Sequence, residues 1–126
     1  MSSEDTVTTS TLKAFLAAFN AHDIDKIMEF FADECELLMP KGPCPWGQRL
    51  TGRPAVREGL LSRLEGVPNV HYGDDRHWAL RDLGVSEWLL TGTTIAGEQL
   101  EVRGVDLLHF QDGKIVKKDS YWKIVI

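Results

Sequence analysis

Four long β-strand patterns occupy the second half of the chain and restrict what it can fold into. They cover residues 70–80, 85–95, 100–110 and 114–126, and the turns between them span 81–84, 96–97 and 112–113. Turns this short cannot carry the chain across a sheet, so each strand must pair antiparallel with the next. The second half of the sequence therefore predicts a four-stranded antiparallel meander.

Three helical patterns come before these strands. Thr9 or Ser10 is placed to cap the first helix, Asp23 to cap the second, and Pro54 lies in the first turn of the third. Apolar residues recur at helical spacing in each pattern: Leu12, Phe15, Leu16 and Phe19; Ile24, Ile27, Met28 and Phe31; Val56, Leu60, Leu61 and Leu64. A short strand over 35–39 and a loop rich in proline and glycine separate the second helix from the third.

The order of these elements indicates the fold class. Helices followed by strands are typical of α+β proteins, in which the helices pack on one face of the sheet. We expect a cone-shaped half-barrel, with three N-terminal helices packed on a curved antiparallel sheet. Three short helices are too few to cover four long strands, so we expect an open mouth that forms the binding site.

The composition is that of a single soluble domain. The chain has 126 residues, of which 43% are hydrophobic and 26% charged, and we assign residues 8–126 to the domain and 1–7 to a disordered tail. The net charge of −5 disfavours nucleic acid and anionic membranes as partners. Two isolated cysteines, no long apolar run and no secretory signal predict a cytoplasmic protein.

Asp106 lies in the middle of the third strand pattern, where a carboxylate is costly to bury without a partner. A two-residue turn at Ala96-Gly97 places Glu87 directly opposite Asp106 and puts Leu89 on the same face. Two carboxylates whose Cβ atoms are about 5 Å apart cannot both ionise easily, so one pKa should rise, as in an acid/base pair. The same register puts Trp88 on the outer face.

The neighbour of Asp106 on its other side depends on the turn over residues 111–113. A two-residue turn at Asp112-Gly113 pairs Asp106 with Asp119. A three-residue loop, with the glycine in the left-handed conformation, pairs Asp106 with Lys118 instead. The Asp-Gly dipeptide suits both turns, so the strand patterns leave both pairings open.

The segment HYGDDRHW, residues 71–78, carries further polar candidates. Gly73 within a strand pattern indicates a β-bulge. Either His77 or Trp78 faces the mouth, and a histidine there suits acid/base chemistry near neutral pH. The turn over residues 81–84 does not fix the register between the two strands that it joins, so both alternatives stay open. The spacing matches no common metal motif, and no metal site is predicted.

The loop GPCPWGQ, residues 42–48, contributes one candidate to the mouth. We expect Trp46 to line the mouth, on a loop that its two prolines make stiff. Cys44 has no base placed beside it in the sequence, so we do not predict a nucleophilic role for its thiol.

Three segments carry a resemblance to a known superfamily: FNAHDIDKIMEFFADECELLMP, TGRPAVREGL and VRGVDLLHFQDGKIVKKDSYWK. Together with the order of the elements, they resemble the SnoaL-like branch of the nuclear-transport-factor-2-like superfamily. That superfamily includes ketosteroid isomerases, SnoaL-type polyketide cyclases and limonene epoxide hydrolases. The resemblance covers nearly all of residues 8–124. It implies a cone-shaped α+β barrel with a deep apolar pocket, commonly dimeric through the outer face of the sheet.

The resemblance also implies positions for the site. Asp106 matches the oxyanion-hole Asp of the ketosteroid isomerases, and Trp122 matches a pocket Trp. Met39 stands in place of the Asp base and Phe15 in place of the oxyanion-hole Tyr, so two polar members are missing. Ser120 stands where SnoaL-type cyclases have an acidic residue. The family alignment favours the three-residue loop, in which the side chains facing the pocket with Asp106 are Lys118, Ser120 and Trp122.

These features predict a cofactor-independent enzyme that moves protons on an apolar, cyclic carbonyl compound. Asp106 would be the acid or oxyanion donor, and Glu87 or His77 the base. The substrate would contact Phe15, Met39, Trp46, Leu89, Lys118, Ser120 and Trp122. The sequence has no glycine-rich phosphate loop and no metal motif, so no cofactor is expected.

An alternative comes from a different class of protein. Loss of the Asp base and the Tyr donor favours a non-catalytic binder of a hydrophobic small molecule, or a dimeric assembly module. A buried ion pair between Asp106 and Lys118 would support this alternative. In both cases we expect a homodimer, because the predicted outer face carries large and apolar side chains: Trp88, Arg103, Val105, Leu107 and His109.

Overall fold

Within residues 7–126, three helices pack on one open six-stranded sheet. The computed structural model describes residues 7–126. Its elements are α1 (Thr9–Asn20), α2 (Ile24–Met28), β1 (Phe31–Leu38), β2 (Arg49–Thr51), α3 (Arg53–Gly66), β3 (His71–Leu80), β4 (Leu83–Thr93), β5 (Gln99–Gln111) and β6 (Lys114–Trp122). The strand order is β2-β1-β6-β5-β4-β3, and every pair is antiparallel except β1 with β6. The predicted α+β half-barrel is confirmed.

The helices begin at capping residues close to those predicted. Thr8 caps α1 through its side-chain oxygen, one residue before the predicted positions, and Asp23 caps α2 as predicted. Pro54 lies in the first turn of α3. α2 is shorter than predicted, because Phe31 belongs to β1, where it pairs with Ile115 of β6.

The predicted meander corresponds to β3–β6. The last strand ends at Trp122, four residues before the predicted end, and the short strand β2 lies in a segment predicted to be a loop. Residues 1–6 of the predicted tail lie outside the described residues. Val7 is buried, and its backbone N–H donates to the Arg81 carbonyl oxygen at 2.9 Å. No helix within residues 7–126 has the length and apolar character needed to cross a membrane.

The core lies between the helices and one face of the sheet, which we call the inner face. α1 packs on β3 and β4, and α3 packs on β1. Both layers contribute side chains that are almost fully buried: Leu12, Ile27 and Val56 from the helices, and Leu37, Leu90, Leu108 and Ile115 from the strands. A ligand inside the half-barrel can therefore be contacted only by side chains of the inner face or of the helices.

Candidate functional site: a small cavity on the inner face

The hairpin of β4 and β5 is paired one residue away from the predicted register. It closes around a three-residue loop, 95–97, in which Gly97 has a left-handed φ of 89°. Asp106 consequently lies opposite Ser86 and not opposite Glu87. Because side chains alternate along a strand, this shift of one residue reverses the face of every side chain on β4.

Three predictions for β4 are therefore wrong. Glu87, predicted to be a base, lies on the outer face, 3.1 Å from Arg76 and 3.9 Å from Arg103. Leu89, predicted to contact the substrate, also lies on the outer face. Trp88, predicted to face outward, is buried on the inner face with 1% of its surface exposed. The predicted pair of carboxylates does not form.

The hairpin of β5 and β6 follows neither predicted alternative in full. Asp112-Gly113 forms the two-residue turn, with positive φ at both residues. A β-bulge at Val116 then adds one residue to β6, so that Asp106 pairs with Ser120, which neither alternative predicted. The side chains on the face of Asp106 are nevertheless those that the three-residue loop would have placed there: Lys118, Ser120 and Trp122.

Three hydrogen-bond donors hold the Asp106 carboxylate. Lys118 Nζ and Ser120 Oγ donate to Asp106 Oδ1 at 3.2 and 2.6 Å, and Trp88 Nε1 donates to Oδ2 at 3.1 Å. The side chains of Lys118 and Asp106 are only 9% and 5% exposed. Three donors satisfy an ionised carboxylate, whereas an Asp that acts as an acid would need its own proton directed at the ligand. Asp106 is therefore arranged as the partner of Lys118.

A small cavity lies beside this ion pair. Its wall combines aromatic and aliphatic side chains with a few polar ones: Phe19, Tyr72, Trp88 and Trp122; Leu37, Met39, Pro40 and Leu60; Arg63, Lys118 and Ser120. Met39, Arg63 and Trp122 are only half-buried and form its mouth, whereas the others, Pro40 excepted, are buried. The cavity therefore has a buried polar floor and a mouth made of long side chains.

The cavity is much smaller than the predicted deep pocket. Its volume is about 20 Å³, which is room for about one water molecule. Pockets for small molecules usually measure about 300–1,000 Å³. The difference arises because aromatic rings fill the half-barrel: Trp88 packs edge-on against Tyr72 and Trp122, with ring centroids 4.9 and 6.5 Å apart. A ligand larger than water must displace side chains at the mouth.

Four of the seven predicted substrate contacts line this cavity, and the other three, Leu89 on the outer face among them, do not. Met39, Lys118, Ser120 and Trp122 belong to its wall. Phe15 is instead part of the helix-to-sheet core, with its ring centroid 5.1 Å from that of Phe19. Trp46 is half exposed, because its loop folds back through a hydrogen bond from the Met39 N–H to the Gln48 carbonyl, and its indole contacts Arg49. The predictions that Phe15 and Trp46 line the binding site are therefore wrong.

A β-bulge in β3 turns two of its side chains toward the inner face. The register shifts after Gly73, as its place in the strand predicted. Tyr72 and His77 lie on either side of this bulge, and both pair with buried residues of the inner face. Without the additional residue, strand alternation would put them on opposite faces. Trp78 consequently faces outward and is 52% exposed.

His77 is hydrogen-bonded to Asp75 and Ser86. Its Nε2 donates to Asp75 Oδ2 at 2.6 Å, and its Nδ1 lies 2.9 Å from Ser86 Oγ. The same three residue types form catalytic triads, but Ser86 and the His77 ring are buried and neither lines the cavity. The geometry therefore gives no support to His77 as the base.

The bond between His77 and Asp75 leads to a prediction about acid stability. It is the main cause that lowers the pKa of the Asp75 carboxyl group. A carboxyl group with a depressed pKa stabilises the fold above its unfolded pKa of about 3.9, and this contribution is lost as the pH falls through the folded pKa. We expect Asp75→Asn to lose less stability than the wild type between about pH 6 and about pH 3 in urea denaturation. Asp33→Asn, at an exposed site, is the control, and an equal loss in all three proteins would contradict the prediction.

Tyr72 and Arg63 are cavity residues that the sequence patterns did not single out. Tyr72 and His77 share the inner face because of the bulge after Gly73. Gly73 was therefore the residue from which the position of Tyr72 could have been predicted. Arg63 lies on the apolar stripe of α3, three residues after Leu60 and one before Leu64. A charged residue on the buried stripe of a helix was the signal for Arg63.

Both residues present polar groups that have no partner among the described residues. None of the hydrogen bonds within residues 7–126 involves the Tyr72 hydroxyl or the Arg63 guanidinium. Burial and, next, the negative charge of Asp106 raise the pKa of Tyr72, and Arg63 opposes this shift. Tyr72 is therefore a protonated donor at neutral pH. Burial lowers the pKa of Arg63, which remains a cation, as arginine does throughout proteins.

No metal centre competes with this cavity as a candidate site in the part of the chain that the structure describes. Within residues 7–126, no three His, Cys, Asp or Glu side chains are grouped so that they could hold a metal ion. The two cysteines are free, with Cys35 buried and Cys44 exposed.

The fold is that of the nuclear-transport-factor-2-like proteins. The SnoaL-like domain family matches residues 12–118, and the chain belongs to that family. A search of curated proteins finds no significant match.

Solved structures share the fold over most of the chain. An NTF2-like protein of unknown function from Mesorhizobium loti is 27% identical, with a TM-score of 0.76 over 92% of this chain and 90% of that one. A proposed polyketide cyclase from Xanthomonas campestris pv. campestris is 21% identical, with a TM-score of 0.79 over 91% and 89%. A hypothetical protein with a ketosteroid isomerase-like fold from Catenulispora acidiphila, solved in complex with trimethylamine, is 18% identical, with a TM-score of 0.79 over 94% and 88%.

Proposed function

We propose that the protein binds a small, largely apolar molecule that carries an oxygen acceptor, in the cavity of the inner face. The observation that carries this proposal is the Tyr72 hydroxyl. Tyr72 lines the cavity, and its hydroxyl stays protonated and has no hydrogen-bond partner among the described residues. No side-chain N or O atom of the described residues is both buried from water and without a partner, so the hydroxyl keeps contact with water. A ligand oxygen would replace that water as the acceptor of its hydrogen bond.

The remaining wall fits the same kind of ligand. Phe19, Trp88 and Leu60 offer apolar surface, which suits a ring or a short aliphatic group. Lys118 Nζ lies in the floor and has a third proton beyond those given to Asp106 and Ser120. An apolar body with one acceptor oxygen is therefore complementary to this cavity once the side chains at the mouth move aside.

Binding is better supported than proton abstraction. An enzyme that removes a proton needs a general base within hydrogen-bond reach of its substrate. None of the residues that line the cavity is an Asp, Glu, His or Cys. Asp106 is occupied by three donors, and its buried ion pair with Lys118 is the arrangement expected of a binding or structural role.

Replacing Tyr72 with phenylalanine tests this proposal. The two probes are cyclohexanone and benzoate. Each is titrated into ¹⁵N-labelled protein, and the backbone and indole N–H signals are followed by NMR. We expect wild-type shifts to centre on the cavity wall and Tyr72→Phe to bind about tenfold more weakly, since one hydrogen bond to the ligand is lost. The stability of this variant should stay within about 0.5 kcal/mol of the wild type, because the hydroxyl has no protein partner.

Tyr121→Phe is the matched control for this experiment. Tyr121 lies on β6 and is exposed, and its hydroxyl is 3.4 Å from Asp119. This variant should bind both probes as the wild type does. The proposal fails if neither probe shifts the cavity signals, or if both tyrosine variants bind with wild-type affinity.

A second candidate is a proton-transfer enzyme of the isomerase or cyclase type. It is favoured by the Lys118–Asp106 pair in the floor, where a lysine proton could be given to a substrate oxygen, and by the neighbour proposed to be a polyketide cyclase. In this case Lys118 would donate to the carbonyl oxygen of cyclohexanone while a water molecule takes the α-proton, so the protein would accelerate exchange of these protons in D₂O. Asp106→Asn, which removes the counter-charge of Lys118, would abolish the acceleration. If cyclohexanone binds but its α-protons exchange no faster than without the protein, the enzyme candidate is contradicted and the binding function remains.

The predicted homodimer stays a proposal. The outer face of the sheet carries two large exposed side chains, Trp78 and Tyr121, and half-buried Val105 and Leu107. Association of two copies through this face would remove these apolar groups from water.

A further inference from the structure

Of the two cations in the cavity wall, Arg63 is the one that has no carboxylate partner among the described residues. Four other arginines each lie within 4.0 Å of a carboxylate oxygen: Arg49, Arg57, Arg76 and Arg103. Within residues 7–126, no carboxylate lies at that distance from Arg63. Its guanidinium lies over the Trp122 ring, 4.4 Å from the centroid, at the mouth of the cavity. An aromatic face is a weaker partner for a cation than a carboxylate is.

The charges around the cavity leave one positive charge in excess. Lys118 and Arg63 are the two cations in the wall. Asp106 neutralises Lys118 through their buried contact, and Arg63 keeps its charge uncompensated. A cation in a partly desolvated position is stabilised by an anion of matching geometry, and a guanidinium matches a carboxylate through two parallel hydrogen bonds.

We infer that the ligand is a small apolar carboxylate and that Arg63 is the residue that selects it. This inference rests on the binding function proposed above and adds the chemical class of the ligand. The guanidinium leaves the Trp122 ring and pairs with the carboxylate, and the apolar group of the ligand takes its place against the indole. Movement of this one side chain also enlarges the mouth of a cavity that otherwise holds about one water molecule.

A small amine is the ligand that this arrangement disfavours. The Catenulispora protein with the same fold was solved in complex with trimethylamine. In this chain a protonated amine would meet Arg63 and Lys118 at the cavity without a free carboxylate. Like charges at short range raise the free energy of the complex.

The test compares benzoate with benzamide, two probes that differ in charge and little in shape. Affinity is measured by NMR titration, with the Trp122 indole N–H as the reporter of the mouth. We expect wild-type protein to bind benzoate about tenfold more tightly than benzamide. Arg63→Gln should remove this preference while keeping the affinity for benzamide, and Arg63→Lys should keep part of it because the charge is retained.

Arg57→Gln is the matched control. Arg57 lies on the same helix, and its guanidinium pairs with Asp25 at 2.9 Å, away from the cavity. This variant should keep the wild-type preference. A preference for benzoate that survives in Arg63→Gln, or a wild-type protein that binds both probes equally well, would overturn the inference and leave the binding function standing. Failure of both probes to bind wild-type protein would overturn both.

Discussion

Replacing Lys118 with methionine is expected to lower the free energy of unfolding by about 3–5 kcal/mol. The variant leaves the Asp106 carboxylate in the buried floor with two neutral donors, Ser120 and Trp88, and without a cation. A charge in that position has lost its hydration and no longer has a counter-charge to compensate. Urea denaturation followed by circular dichroism measures the difference.

The adjacent lysine on β6 provides the control for this experiment. Lys117 pairs with His109 on the outer face, and Lys117→Met should change the free energy of unfolding by no more than about 0.5 kcal/mol. Adding Asp106→Leu to Lys118→Met should recover much of the lost stability, because an apolar pair often replaces a buried ion pair without loss. Equal stability of the two lysine variants would show that the buried ion pair does not hold the inner face together.

Replacing Trp88 with alanine is expected to destabilise the fold by about 3–5 kcal/mol. The ring packs edge-on against Tyr72 and lies directly over Gly104 of the neighbouring strand, where an added Cβ would come within 2.4 Å of it. Its loss would open a void in the middle of the inner face and remove one of the three donors to Asp106. Urea denaturation measures this effect as well.

Trp78→Ala is the matched control for Trp88. Trp78 belongs to the neighbouring strand, faces outward and is 52% exposed. Its replacement should cost about 1 kcal/mol or less, since little buried surface is lost. Comparable destabilisation of the two variants would contradict the assignment of Trp88 to the inner face.

The fold could be predicted because its signals are periodic and long. Helical spacing in three segments and strand patterns with short turns predicted the helix layer and the order of β3–β6 in the sheet, but not the places of β1 and β2. α3 shows how well this works, since Pro54 at its start and Gly66 at its end mark its limits. The position of β2 could not be predicted in this way, because a strand of three residues within a loop has too few side chains to show a pattern.

The site was harder to predict, because a shift of one residue in a hairpin changes which side chains face inward. Ala96-Gly97 is compatible with a two-residue turn, but the chain uses a three-residue loop, and Glu87 and Trp88 exchange faces as a result. The bulges at Gly73 and Val116 likewise change which residues face the core. Bulges depend on the fit of a whole sheet, and the local sequence only permits them.

The cavity wall also depends on packing that no strand pattern records. The resemblance to isomerases predicts a hydroxyl donor at the position of Phe15, whose side chain has no hydroxyl. A hydroxyl is present instead on Tyr72, which reaches the cavity from a different strand. Arg63 belongs to a helix whose pattern looked like that of an ordinary core helix with one charged residue on its buried side.

β1 and β6 lie far apart in the sequence, so we expect their parallel pairing to form late in folding. Strands β3–β6 are joined by short turns, so each hairpin closes at little cost in chain entropy. Pairing of β1 with β6 must close a loop of about two thirds of the chain, and contacts of this kind are slow to form. Leu37 arrives with β1, whereas Lys118 and Ser120 are already present on β6. A chain that has formed only its meander therefore has a sheet but lacks the part of the cavity wall that β1 supplies.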